Sequence, residues 1–135
     1  FNYGANTHAS VSTYKIESKA PKSKGLYTDI NGNKATAYGL IAAAEKAGLG
    51  LYLGSYPITP ATDILHELAK HKSLGVKTVQ CEDEIAGCAS AVGAAFAGAL
   101  AVTTTSGPGV CLKSEAMNLA VIGELPDATA KARCL

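Results

Sequence analysis

Tryptophan is absent from this 135-residue sequence, methionine occurs once and phenylalanine twice. Aromatic residues reach only 6%, so no platform for stacking nucleic-acid bases is evident. An excess of one charge is also missing. Twelve Lys and Arg face eleven Asp and Glu, for a net charge of +1. That balance argues against a surface built for nucleic acid or an anionic membrane. Four cysteines (Cys81, Cys88, Cys111 and Cys134) form no CxxC pair and sit in or beside apolar segments. A disulfide framework would be denser and loop-borne, so they read as small hydrophobes in a reduced, cytoplasmic protein. The opening "FNYGANTHASVSTYK" has neither an apolar leader nor an initiator Met, and the chain is expected to be a piece of something longer. The apolar run from Ile85 to Val102 is long enough to raise a membrane question. Three acids stand at its start, and alanine and glycine dominate it rather than leucine. It reads as a tightly packed helix followed by a buried strand.

What is present fits one α/β domain. Residues 1–30 have weak periodicity, and "KIESKAPKSKG" reads as a linker. From about Asn31 a regular alternation begins. "NKATAYGLIAAAEKAG" predicts a helix ending at Gly48, and "LGLYLGS" a strand from Leu49 to Ser55. "PATDILHELAKHKSLG" predicts a helix with Pro60 in its first turn, and "VKTVQ" a strand from Val76 to Gln80. "EDEIAGCASAVGAAFAGA" predicts a helix opened by acids, which suit a positive helix N-terminus. "LAVTTTS" is then a strand, and "VCLKSEAMNLAVIGE" a single last helix. This order implies a parallel sheet with helices on both faces, a three-layer sandwich. Ligands of such sheets bind beyond the carboxyl ends of the strands. "SYPITP", "QCEDE" and "TSGPG" occupy those three ends and are expected to share one edge.

Several motifs have plain readings. "GLGLYLG" has the wrong spacing for a dinucleotide fingerprint and precedes a strand, so Gly48 reads as a helix cap. "HELAKH" places its histidines five apart, not on one helical face, and both read as solvated surface groups. "KSKG" reads as a solvated basic run. The loop "SGPG" is either a simple strand-to-helix connection or a bare backbone wall for a flat ligand. Glu82, Asp83 and Glu84 need no role beyond opening a helix. A carboxyl at the first turn of so small-sided a helix can nevertheless be drawn out of water. The small residues themselves suit close helix–sheet packing.

Taken together, "YPITP" followed by "EDEIAGCASAVGAAFAGALAVTTTSGPG" resembles the alpha subunit of 2-oxoacid:ferredoxin oxidoreductases, most like the 2-oxoglutarate type. The resemblance covers roughly Asn31 to Pro126 and implies the pyrimidine-binding domain of thiamine diphosphate enzymes. It implies that Glu84 is catalytic: its carboxyl hydrogen-bonds the aminopyrimidine ring nitrogen and favours the imino form that deprotonates the thiazolium. Ser106, Gly107, Pro108 and Gly109 would present bare backbone to the cofactor. Thr59 would bond an oxoacid oxygen, with Tyr56 and Ile58 shaping that wall. No protein ligand for a metal is expected in this chain. A beta subunit would hold the diphosphate, Mg²⁺ and the iron–sulfur clusters. Coenzyme A and ferredoxin would complete oxidative decarboxylation of the 2-oxoacid.

The same resemblance divides the chain into a 1–30 linker from a gamma-type domain, a 31–126 pyrimidine-binding domain and a 127–135 atypical tail. "DATAKARCL" does not read as the family's next strand, so the domain is expected to be truncated there, and Arg133 is given no substrate role. The isolated chain is expected to be inactive. A pyruvate-type oxidoreductase, a thiamine-dependent decarboxylase and a non-catalytic α/β interaction domain are the alternatives.

Overall fold

Asn31 opens the folded body because its side-chain oxygen accepts the Lys34 N–H at 2.8 Å, capping the helix that follows. The computed structural model describes residues 2–7, 23–125 and 128–131. Helix α1 spans Asn2–Thr7, and α2 spans Gly32–Ala47. Gly48 ends α2 in the left-handed conformation (φ 67°), the role expected of it. Strand β1 is Leu51–Ser55, two residues shorter than the spacing predicts. Helix α3 covers Thr62–Leu68, and a 3₁₀ stretch continues over Ala69–Leu74. Strand β2 is Val76–Gln80. Helix α4 is Glu84–Phe96, and β3 is Leu100–Thr105. Two helices follow, α5 over Gly109–Leu112 and α6 over Ser114–Ile122, and β4 is Ala128–Lys131.

The sheet is parallel throughout, in the order β2-β1-β3-β4. Leu51 lies beside both Val76 and Leu100, so the three predicted strands start level and finish at one edge. Leu51, Leu53, Val76 and Val102 meet Ala37, Ala44, Ile64, Leu65 and Leu68 of α2 and α3 on one face. On the other, Ala101 packs with Ala91 and Ala95 of α4. Two faces covered by helices make the expected three-layer sandwich. The apolar run from Ile85 is indeed a helix and then a strand, and no helix among the described residues is long and apolar enough to cross a membrane.

Small residues let α4 sit tightly on β1. A Cβ at Gly54 would overlap the Gly87 carbonyl oxygen and the Ser90 hydroxyl, and one at Gly87 would touch the Ser55 backbone. Close packing, the plain reading of that helix, therefore holds.

In the region read as a linker, Asn2–Thr7 forms a short helix that is exposed wherever its side chains are described. Residues 23–30 are exposed and carry neither helix nor strand, while residues 8–22, which hold most of "KIESKAPKSKG", lie outside the described residues, as does Cys134. Three expectations need correction. The tail is not devoid of strand. Ala128–Lys131 pairs with β3 from Val102↔Ala128 to Thr105↔Lys131. The free edge of β3 supplies a row of backbone donors and acceptors, and four residues are too few for periodicity to reveal a strand. The last helix is broken in two at Lys113. Finally, Pro60 precedes α3 rather than opening it, since the helix starts at Thr62.

Candidate active site

The carboxyl ends of β1, β2 and β3 release the three loops that the sequence singles out, and the structure brings them together on one edge. After β1, Tyr56 turns inward and is only 4% exposed. Its hydroxyl lies 2.7 Å from Thr105 Oγ1, with either oxygen able to donate. The loop beyond it is pinned at three points. Thr62 Oγ1 accepts from the Ile58 N–H at 2.8 Å and donates to the Ile58 carbonyl oxygen at 3.0 Å. Asn33 Nδ2 donates to the Pro60 carbonyl oxygen at 2.9 Å. Ser106 Oγ, from the loop after β3, donates to the Thr59 carbonyl oxygen at 2.9 Å. Ile58 is thereby half-buried and Thr59 exposed at the rim.

After β2, the Cys81 N–H donates to the Ser55 carbonyl oxygen at 2.7 Å, which carries the chain back across β1. Asp83 then caps α4, its Oδ1 accepting the Ala86 N–H at 2.8 Å. The capping role therefore falls to Asp83, and Glu84, the first residue of α4, is released from it. Glu84 is half-buried. Burial is the main reason the Tyr56 phenol titrates above its usual value. The hydrogen bond from Thr105 opposes that rise, and the Glu84 contact and charge reinforce it.

After β3, Gly107 has φ 56°, a region where a side chain is strained, and open space where its Cβ would be. Gly107 and Pro108 are exposed, while Gly109 is buried. The reason for Gly109 differs from the one expected. A Cβ there would overlap Thr105 Oγ1 and come within 2.8 Å of the Tyr56 hydroxyl. It is the chain's own Tyr56–Thr105 pair that requires a glycine at this position.

Beneath the edge lies a buried polar layer that sequence reasoning missed. Ser55, Thr103, Thr104, Thr105 and Lys113 are all fully inaccessible. Ser55 Oγ and Thr104 Oγ1 are 2.7 Å apart. Lys113 Nζ donates to Thr103 Oγ1 and, at 3.0 Å, to the Thr104 carbonyl oxygen. The same ammonium stands 5.4 Å from the centroid of the Tyr56 ring. The break between α5 and α6 is where Lys113 turns into the core. A run of threonines in a strand expected to be buried on both faces was the available signal, because such hydroxyls must find partners inside.

Elsewhere, "HELAKH" departs from its solvated reading at one end. His66 is exposed, but His71 is half-buried edge-on against Tyr38, with ring centroids 5.7 Å apart. His71 Nε2 also lies 3.6 Å from Glu67 Oε1. No three His, Cys, Asp or Glu among the described residues are grouped so as to hold a metal ion.

A parallel α/β sandwich with a carboxylate, a buried phenol and a glycine loop at one strand edge defines a class of ligand-binding domain. Residues 43–132 match the model of the family described as pyruvate flavodoxin/ferredoxin oxidoreductase, thiamine diphosphate-binding, and the chain belongs to that family. It is 57% identical over 126 residues to the 2-oxoglutarate oxidoreductase subunit KorA of Mycobacterium tuberculosis, covering 93% of this chain and 19% of that protein. It is 43% identical over 98 residues to the ketoisovalerate oxidoreductase subunit VorB of Methanothermobacter thermautotrophicus, covering 72% of this chain and 26% of that one. Among solved structures, it resembles a 2-oxoglutarate:ferredoxin oxidoreductase from Magnetococcus marinus with 2-oxoglutarate, coenzyme A and succinyl-CoA bound. That match has a TM-score of 0.65 at 39% identity, and covers 77% of this chain and 18% of the other. The chain thus spans about a fifth of the length of these oxidoreductases.

Proposed function

We propose that this chain is the pyrimidine-binding part of an alpha subunit that catalyses oxidative decarboxylation of a 2-oxoacid, 2-oxoglutarate first, to an acyl-CoA with electrons passed to ferredoxin. One observation carries the reading: Glu84, freed from capping by Asp83, opens α4 at the same sheet edge where Ser106 clasps Thr59. A plain interaction domain would have no need of a buried polar layer beneath a half-buried carboxylate. The residues fit the cofactor that the family name implies. Glu84 offers a carboxyl at a partly dry helix start, and Gly107 leaves open space where a flat ring can approach backbone.

In this reading, thiamine diphosphate when bound supplies the carbon nucleophile that adds to the oxoacid carbonyl and accepts the electrons that decarboxylation releases. Glu84 holds and returns the proton shared with the aminopyrimidine nitrogen. The backbone of Ser106, Gly107, Pro108 and Gly109 forms the wall beside the ring, and the exposed hydroxyl of Thr59 faces the oxoacid, with Ile58 behind it. A beta subunit brings the diphosphate site, Mg²⁺ and iron–sulfur clusters, and a gamma-type domain completes a cytoplasmic complex. An open apolar groove of about 600 Å³, lined by Ile85, Ala89, Leu119 and Ile122 among others, starts one residue from Glu84 and suits a protein partner. By itself the chain is inactive.

The test uses the full-length alpha subunit assembled with its partner and assayed for coenzyme A-dependent dye reduction. Glu84→Gln is expected to lower turnover by roughly 10²–10⁴-fold. Wild-type turnover in that variant removes the role given to Glu84. Activity on ketoisovalerate or pyruvate but not on 2-oxoglutarate leaves the mechanism and overturns the substrate.

A further inference from the structure

Asn33 is a polar residue on an apolar stripe. The core-facing side of α2 carries Ala37, Leu40, Ile41 and Ala44, and Asn33 stands one turn before Ala37 on that same side. The helix does not need it there. Asn31 already caps α2 by accepting the Lys34 N–H, and an asparagine beyond the cap competes with the helix rather than favouring it. What Asn33 has is a partner 27 residues away: half-buried, its Nδ2 donates to the Pro60 carbonyl oxygen at 2.9 Å. That bond completes a pattern around Thr59. The Ile58 carbonyl oxygen is held by Thr62 of α3, the Thr59 carbonyl oxygen by Ser106 of the loop after β3, and the Pro60 carbonyl oxygen by Asn33 of α2. Three different elements thus fix three consecutive carbonyls, while the Thr59 side chain among them is exposed. Fixing the backbone of a surface residue costs conformational entropy and recovers little through its own side chain. Such fixing suits a residue whose hydroxyl must be in place before a ligand arrives.

We propose that Asn33 is a positioning residue for the substrate: its hydrogen bond to Pro60 holds the Thr59 hydroxyl where the oxoacid meets it. The proposal rests on the substrate role given to Thr59. When Asn33 is lost, Thr59 keeps its own bond to Ser106 and Ile58 keeps its bonds to Thr62, so the loop loosens at one end rather than unfolding.

The experiment uses the assembled enzyme with Asn33→Ala, Asn33→Asp, Thr59→Val and the double variant of Asn33→Ala with Thr59→Val. Asn33→Ala is expected to raise the KM for the oxoacid by about 3- to 10-fold, the range for loss of one neutral hydrogen bond, with kcat within about twofold of wild type. Asn33→Asp keeps the shape and suits a helix start, but it offers Pro60 no proton and should raise KM at least as far. Thr59→Val should raise KM as well. In the Thr59→Val background, Asn33→Ala should have no further effect on KM, whereas a residue that only stabilises the fold would add its effect in full. A second readout needs neither cofactor nor turnover. In the cofactor-free complex, hydrogen exchange of the Ile58 and Thr62 amides should speed up in Asn33→Ala while β1 and β3 stay protected. An unchanged KM in Asn33→Ala, unchanged exchange at those amides, or equal effects with and without Thr59 overturns the proposal and leaves the role of Thr59 standing. A wild-type KM in Thr59→Val fails the underlying reading instead. If Asn33→Ala does not assemble, Asn33→Asp carries the same test, and a wild-type KM there overturns the proposal.

Discussion

The Ser106 hydroxyl reaches across to the Thr59 carbonyl oxygen at 2.9 Å, joining loops 47 residues apart in sequence. This bond holds "YPITP" against "SGPG" and sets the distance between the residues given to substrate and to cofactor. Ser106→Ala should cost about 1 kcal/mol of stability, the usual net value of one such bond. More specifically, it should raise the KM for the oxoacid more than it lowers kcat, because Thr59 is freed and Glu84 is untouched. Steady-state kinetics of the assembled complex separate the two, and a pure kcat loss speaks against the clasp.

Gly109→Ala should be the more damaging of two glycine changes in the loop after β3. Its methyl group would strike the Tyr56–Thr105 pair, whereas a methyl at Gly107 meets only open space and the strain of φ 56°. Overpacking of this kind costs about 1–3 kcal/mol, against roughly 1 kcal/mol for a side chain forced into the left-handed region. Urea unfolding of the full-length subunit should rank them in that order.

Lys113→Ala should destabilise by about 3 kcal/mol. It removes charged hydrogen bonds to Thr103 and Thr104 and opens a cavity under β3. Lys113→Met, which keeps most of the volume, should recover part of the loss. Equal stability of Lys113→Ala and wild type in thermal melts would mean that the buried ammonium adds nothing to the fold.

Alkaline stability should report on Tyr56. Its folded phenol titrates above the ordinary value of 10.0, mainly through burial. A group raised in the folded state stabilises fully below its unfolded pKa, and that contribution is lost as pH climbs through the folded one. Stability should therefore decline from about pH 10 upward as the phenol is forced to ionise beside Glu84. Tyr56→Phe should flatten that decline, measured by urea unfolding across alkaline pH with tyrosinate absorbance as the control.

The sequence alone determined the alternation of helices and strands, the cap at Gly48, the acids that open α4, and the parallel sheet whose carboxyl edge gathers "YPITP", Glu84 and "SGPG". Those features follow from local periodicity and from glycine and proline chemistry, and a parallel order leaves little choice about which ends meet. Tertiary structure decided the rest. Tyr56 turns inward because Thr105, 49 residues away, offers its hydroxyl a partner. Gly109 is required by that pair, Lys113 breaks the last helix to reach a threonine layer, and β4 exists because β3 has an edge to fill. Each depends on which buried polar group finds which partner. Such pairing acts between residues far apart in the chain, and the local pattern of apolar and polar positions carries no record of it.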